Sequence, residues 1–286
     1  MRTLQAENLP LEVDTMAELP ELMILERQMH ETLSRRRIDL VELSQPKCLN
    51  LPVDEAVAAL TGRRIARVDR RGKWFLFHLD PELYLLLNLG MGADLFYHAA
   101  GVAPREKHQL RIGLDDGSGF TCRFWWFGYI RVLAADALAS HPETAMLGPD
   151  PLTLSREEFH AIARHYPRSN AKSLILDQQR LSGIGNAYAH DILWSARIHP
   201  QRRLGTLSDE EIDRYQLAIR QVIDRAHELG GYEPDFFGQG GNVRTPERLT
   251  LIGYREGQGC PICGTPIEKL KTGSTSTFIC PACQPL

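Results

Sequence analysis

Four cysteines near the C-terminus constrain this chain more than any other feature. They read Cys260-Pro-Ile-Cys263 and Cys280-Pro-Ala-Cys283, with sixteen residues between the pairs. Each C-x2-C pair is a tight turn that aims two sulfurs the same way. Two such knuckles supply four thiolates, a closed tetrahedral set for one structural Zn2+. Disulfides are the alternative, disfavoured because no export signal opens the chain. A ribbon this short cannot bury a core, so the metal is expected to supply its folding energy. Cys48 and Cys122 stand alone and read as small core residues.

The second constraint is the stretch from Leu181 to Arg197, where Gly183 and Gly185 bracket Ile184 and a helical pattern begins at once. Ile184, Tyr188 and Ile192 recur at every fourth position, beside a row of Ala189, Leu193 and Ala196. Glycines before a helix let backbone approach a ligand closely, and the N–H groups of the first turn favour an anion such as phosphate. Asn186 sits where its amide adds a donor. An ordinary turn capping a core helix is the competing explanation.

Net charge is −3 over 286 residues, which argues against indiscriminate nucleic-acid binding. Arg63, Arg64, Arg67, Arg70, Arg71 and Lys73 nevertheless fall close together, as a local phosphate-binding face or as a solvated charged one. No apolar run is long enough to span a bilayer, and with nothing that resembles a secretory signal a cytoplasmic protein is expected.

Residues 1–15 carry no periodicity and read as a disordered lead. From Met16 the pattern changes: Pro20 suits a first helical turn, and Leu22, Leu25, Met29 and Leu33 mark one apolar face. Strand signals follow. Ile38 and Leu40 alternate with polar neighbours, Ile65 and Val68 flank the basic stripe, and Phe75, Phe77 and Leu79 alternate after the Arg70–Lys73 turn. Leu83 to Leu89 reads as a buried strand. Leu110, Ile112 and Leu114 lead into an Asp115-Asp116-Gly117 hairpin, and the chain returns as one strand from Phe120 to Val132. Beyond about residue 135 the pattern is helical, with capping boxes at Ser155–Glu158 and Ser208–Glu211 and a helix near Ala171 to Gln179. These signals predict an α+β protein: an N-terminal β-sandwich domain with one long helix (16–135), a four-helix domain (136–240), and a cysteine ribbon (241–286) reached by a Gly-rich linker.

Taken together, Met16-Ala-Glu-Leu-Pro-Glu21, Arg70-Arg-Gly-Lys-Trp-Phe-Leu76, Asn88-Leu-Gly-Met-Gly92, Lys107-His108, Leu147-Gly-Pro-Asp-Pro-Leu152, Leu181-Ser-Gly-Ile-Gly-Asn186, Ile198-His-Pro200 and Tyr254-Arg-Glu-Gly before the cysteines give the chain a resemblance. It resembles the formamidopyrimidine-DNA glycosylase/endonuclease VIII family. The resemblance implies a β-sandwich, a helix–two-turn–helix domain and a zinc finger that grip damaged double-stranded DNA as a monomer, with the chain at the nucleoid. It implies base excision with abasic-site lyase chemistry, in which the mature N-terminal amine, usually of proline, attacks C1′ of an everted nucleotide. The matching catalytic positions are Ala17, Glu18 and Lys73. Lys73, His108, Arg168 and Asn186 match phosphate contacts, Glu21 falls among the DNA-binding positions, and Met91 and Phe127 match side chains that wedge into the base stack.

Three departures shape the expectations. Ala17 stands where proline is usual, and its nitrogen is a peptide amide unless the working protein begins at Met16 and loses that methionine. Trp125 and Trp126 replace an arginine pair that meets the opposite base, so stacking replaces hydrogen-bond reading there. Thr275 falls near the position of a zinc-finger arginine. A non-catalytic damage-binding protein of the same fold is the rival reading.

Overall fold

The computed structural model describes residues 17–232, 236, 250–273 and 275–286. The expected disordered lead at 1–15, most of the Gly-rich linker and the boundary at 240/241 lie outside the described residues.

Helix α1 (Leu19–Leu33) opens with Pro20 in its first turn, and the Glu18 N–H donates to Glu21 Oε2 at 2.9 Å across that turn. Leu22, Leu25, Met29 and Leu33 are all buried, as their spacing predicts. They pack on a sandwich of two four-stranded antiparallel sheets. One runs β2 (Arg64–Arg71), β3 (Trp74–Asp80), β4 (Leu83–Asn88), β8 (Tyr129–Ala134); the other runs β1 (Ile38–Leu43), β6 (Leu110–Leu114), β7 (Gly119–Trp126), β5 (Met91–His98). Phe77 of β3 and Phe120 of β7 stack across the gap with ring centroids 5.8 Å apart. Both are fully buried, so the sandwich has one apolar interior.

Three details differ from the sequence reading. The strand expected from Phe120 to Val132 is two strands in different sheets. It breaks at Phe127, whose φ is 55°, a left-handed conformation that no regular strand continues through. Leu40 is exposed, because the pairing of β1 with β6 shifts register between Ile38 and Leu40 and turns the next apolar residue, Val41, inward. Strand β5 and helix α2 (Val53–Leu60) had no expectation at all. Gly90, at φ 63°, carries the chain from β4 to β5 where a Cβ would lie 2.1 Å from the Trp126 carbonyl oxygen.

The helical part contains α3 (Pro142–Ala145), α4 (Arg156–His165), α5 (Ala171–Leu176), α6 (Asn186–Ser195) and α7 (Asp209–Glu228). Ser155 and Ser208 both close the capping boxes read from sequence. Helix α6 is buried on nearly all sides, packing on α5 and α7 through Ile192 and Leu193 and facing the other parts of the molecule with Tyr188, Asp191 and Trp194. A two-stranded hairpin, β9 (Glu268–Thr272) and β10 (Thr275–Ile279), separates the two cysteine knuckles.

Candidate active site and metal centre

The Gly183–Gly185 loop is held from behind by Gln178. Its Nε2 donates to the Ile184 carbonyl at 2.7 Å and its Oε1 accepts from Gly183 N–H at 2.8 Å. The N–H groups of Gly185 and Ala187 are thereby aimed at one carboxylate, Glu18, which accepts both at 2.7 and 2.9 Å. This corrects the expectation from the glycines. The anion on the first turn of α6 is the protein's own Glu18, reached across 167 residues, and these two donors are not open to phosphate.

Lys73, at the turn between β2 and β3, joins the same spot. A Cβ on Gly185 would lie 2.3 Å from Glu18 Oε1 and 2.7 Å from Lys73 Nζ, so only glycine lets ammonium and carboxylate converge on this backbone. Asn88 fixes the turn by donating from Nδ2 to the Lys73 carbonyl at 3.1 Å. Burial pushes the Glu18 carboxyl up while Lys73 and the backbone donors draw it back, and burial pushes the Lys73 amine down while Glu18 and Glu21 hold it up. Each group thus sits closer to its neutral form than in water. Ala17, immediately before Glu18, is 7 % exposed at the edge of the sandwich core.

Glu21 was expected among the DNA-contacting residues, but it is buried behind Glu18. Its carboxylate accepts the Tyr188 hydroxyl and the N–H groups of Tyr232 and Glu18, both at 2.9 Å. Burial pushes it up to about 7 despite those donors.

Most of the other expected residues lie on other elements. Met91 faces Trp126 across the β5–β7 ladder, and Met91, Trp125, Trp126 and Phe127 are all exposed at one corner of the sandwich. The Arg123 guanidinium lies 4.5 Å over the Trp125 ring. His108 is held by both ring nitrogens, Nδ1 at 2.8 Å from the Arg105 carbonyl and Nε2 at 3.2 Å from Glu42, which also takes Arg111. Arg168 is exposed on the loop before α5, and Asn186 begins α6 with Oδ1 buried and without a partner among the described residues. The basic stripe does not form one face, because β2 sends alternate residues to opposite sides. Arg70 is buried in pairs with Asp150 (2.6 Å) and Glu26 (3.4 Å), and Arg67 pairs with Asp69 at 3.1 Å.

The four cysteines meet as their spacing predicts. Their Sγ atoms lie within 4.8 Å of one another, with individual separations of 3.4, 3.6 and 3.9 Å. A tetrahedral zinc with bonds of about 2.3 Å needs edges of about 3.8 Å, so the four sulfurs fit that ion.

Residues without a sequence signal fasten this centre to the helices. Asp191 of α6 accepts the N–H groups of Leu251, Ile252 and Gly253 at 2.7–2.9 Å. Lys172 of α5 is buried with Nζ donating to Thr272, Thr275 and Thr277 hydroxyls and the Ser276 carbonyl, and burial pushes it down to about 8. Thr275 is thus a lysine acceptor in the hairpin. A motif search has no handle on such pairs, whose partners are 60 to 105 residues apart.

A two-sheet sandwich and a helical domain that meet at a buried carboxylate–lysine pair, together with an exposed aromatic corner and a four-cysteine finger, define a zinc-finger protein built to handle nucleic acid. Residues 16–125 match the formamidopyrimidine-DNA glycosylase N-terminal domain, 147–236 the helix–two-turn–helix domain of that protein, and 257–286 the zinc finger found in it and in isoleucyl-tRNA synthetase. The chain belongs to the formamidopyrimidine-DNA glycosylase family. It is 34 % identical over 283 residues to formamidopyrimidine-DNA glycosylase of Symbiobacterium thermophilum, covering 95 % of this chain and 90 % of that one. The Chloroflexus aggregans protein of the same name is 35 % identical over 282 residues, covering 95 % and 99 %. Among solved structures, the Lactococcus lactis enzyme bound to abasic-site DNA superposes with a TM-score of 0.84 at 26 % identity, over 94 % of this chain and all of that one. The complex of that enzyme with DNA containing a formamidopyrimidine lesion superposes at 0.83.

Proposed function

We propose that this chain removes oxidised or ring-opened bases from double-stranded DNA and then cleaves at the abasic site, acting as a monomer at the nucleoid with one structural zinc. The observation that carries the reading is the convergence of Glu18 and Lys73 on Gly185, immediately beside Ala17. In this scheme translation starts at Met16 and removal of that methionine frees the Ala17 amine. The match to the family's N-terminal domain begins at residue 16, which supports that start. An α-amino group titrates near pH 8, so a useful fraction is unprotonated at neutral pH. The amine attacks C1′ as the glycosidic bond breaks, and the base leaves with a proton relayed by Glu18. The nitrogen then gives up a proton as the C1′–O4′ bond opens and O4′ becomes a hydroxyl, which leaves a Schiff base; this acidifies the C2′ hydrogen, whose loss expels the 3′ phosphate, and water then releases Ala17. Lys73 assists by placing positive charge beside the reacting sugar.

Glu21 serves in this reading as the support that orients Glu18, since its carboxylate holds the Glu18 N–H. Asn186, Arg168 and His108 bind phosphates around the lesion. Met91 and Phe127 fill the stack where the base left, and Trp125 and Trp126 stack on the opposite side. Tryptophan has one donor and no charge, so reading of the opposite base is shallow.

The test compares a form beginning at Met16 with the full chain, using borohydride trapping on DNA that carries an oxidised base or an abasic site. A covalent adduct on Ala17 only in the shorter form is the expected result. If neither form traps while both bind damaged DNA tightly, the chain is a non-catalytic damage binder, the reading that a peptide amide at Ala17 favours.

A further inference from the structure

The far end of α6 holds an arrangement that base excision does not use. Trp194 is 6 % exposed and packs in a small core with Ile252, Ile267, Phe278 and the two knuckle residues Cys260 and Cys280. Its indole Nε1–H is buried and meets no acceptor at full hydrogen-bond geometry among the described residues. The polar side chain it faces within that core is Cys260. Tryptophan has only this donor, and buried donors without acceptors are rare in folded proteins. A neutral thiol is a weak acceptor, whereas a metal-bound thiolate carries charge and takes a stronger bond.

Neighbouring contacts keep Trp194 in place. One turn before it, Asp191 holds the three N–H groups of 251–253. Just beyond it, the Ile198 carbonyl accepts Gln284 Nε2 at 3.0 Å, while Gln284 Oε1 accepts the Cys280 N–H at 3.0 Å. Both knuckles therefore meet the helical domain, Cys260 by packing against the indole and Cys280 through Gln284.

We propose that Trp194 is an outer partner of the zinc site, donating its indole N–H to the metal-bound Cys260 thiolate so that the helical domain tunes how tightly the finger holds zinc. This goes beyond the base-excision reading and stands even if that reading fails, because its readouts are properties of the metal. Removing an outer-shell hydrogen bond typically weakens metal binding by about 10–100-fold.

The experiment uses the full chain with its metal. Trp194→Phe keeps most of the ring and deletes the donor. Phe278→Leu trims the same small core without touching a donor. Zinc affinity is measured by competition with a chromophoric chelator, and the thiolate-to-metal charge-transfer band is recorded after cobalt replaces zinc. Trp194→Phe is expected to lower affinity about 10-fold or more and to move the band to lower energy, since a thiolate without its hydrogen bond gives up charge more readily. Phe278→Leu is expected to leave the band in place. An unchanged affinity or band in Trp194→Phe overturns the proposal, as does the same pair of changes in Phe278→Leu.

Discussion

Glu21 shows how one side chain ties conformation to pH. Its carboxyl is pushed up to about 7, chiefly by burial. A carboxyl whose folded value lies above its unfolded one near 4.5 binds its proton more tightly in the folded state. Its contribution to stability is therefore full in acid and is lost as pH rises from about 4.5 to 7. Glu21→Gln removes this titration. Urea unfolding from pH 5 to 8 is expected to show the native chain losing up to about 3 kcal/mol relative to the variant; parallel pH profiles would count against it. At this scale the sequence was partly legible. The cysteines could be found because their chemistry lies in regularly spaced residues, whereas Ala17 and Glu18 were reached only through the family resemblance. That Glu21 faces Tyr188 and Tyr232 could not, because burial and partner choice depend on chain segments far away.

Among the elements, α6 depends most on a single glycine. Any Cβ at Gly185 collides with Glu18 Oε1 and Lys73 Nζ at once. Lysine has a long stem that can swing aside, but the Glu18 carboxylate is pinned by two N–H groups and must give up at least one. Gly185→Ala, in the form beginning at Met16, is expected to reduce borohydride trapping roughly 100-fold, as for a displacement of about 1 Å at a reacting centre. Circular dichroism should show the helices retained; undiminished trapping would sink the idea that this convergence positions the chemistry. The Gly-x-Gly signal correctly located a helix start with an anion on it. Its error was the anion's identity, since periodicity and turn chemistry say nothing about a carboxylate arriving from the first turn of α1. The missed break at Phe127 has a similar cause: the apolar residues continue on both sides of it, and only sheet closure decides where the chain crosses over.

Across the whole molecule, the helical part is joined by polar contacts to a finger too small to be stable alone. Stripping the metal, or Cys280→Ser, is expected to free the N–H groups of 251–253 from Asp191 and the hairpin hydroxyls from Lys172. Hydrogen exchange should then accelerate throughout 250–286 while β3 and β4 of the sandwich stay protected. Protection kept in the finger without metal, or lost equally everywhere, would contradict this division. The order of the three domains was legible because each has its own local signature, but their joints were not. Most of those joints fall on α6, ten residues long and therefore about 15 Å from end to end. One added residue would turn everything beyond it by about 100° and swing Asp191 and Trp194 off their partners. Loops elsewhere in this chain can grow or shrink as lineages drift; this helix acts as a gauge block whose length descendants must inherit unchanged.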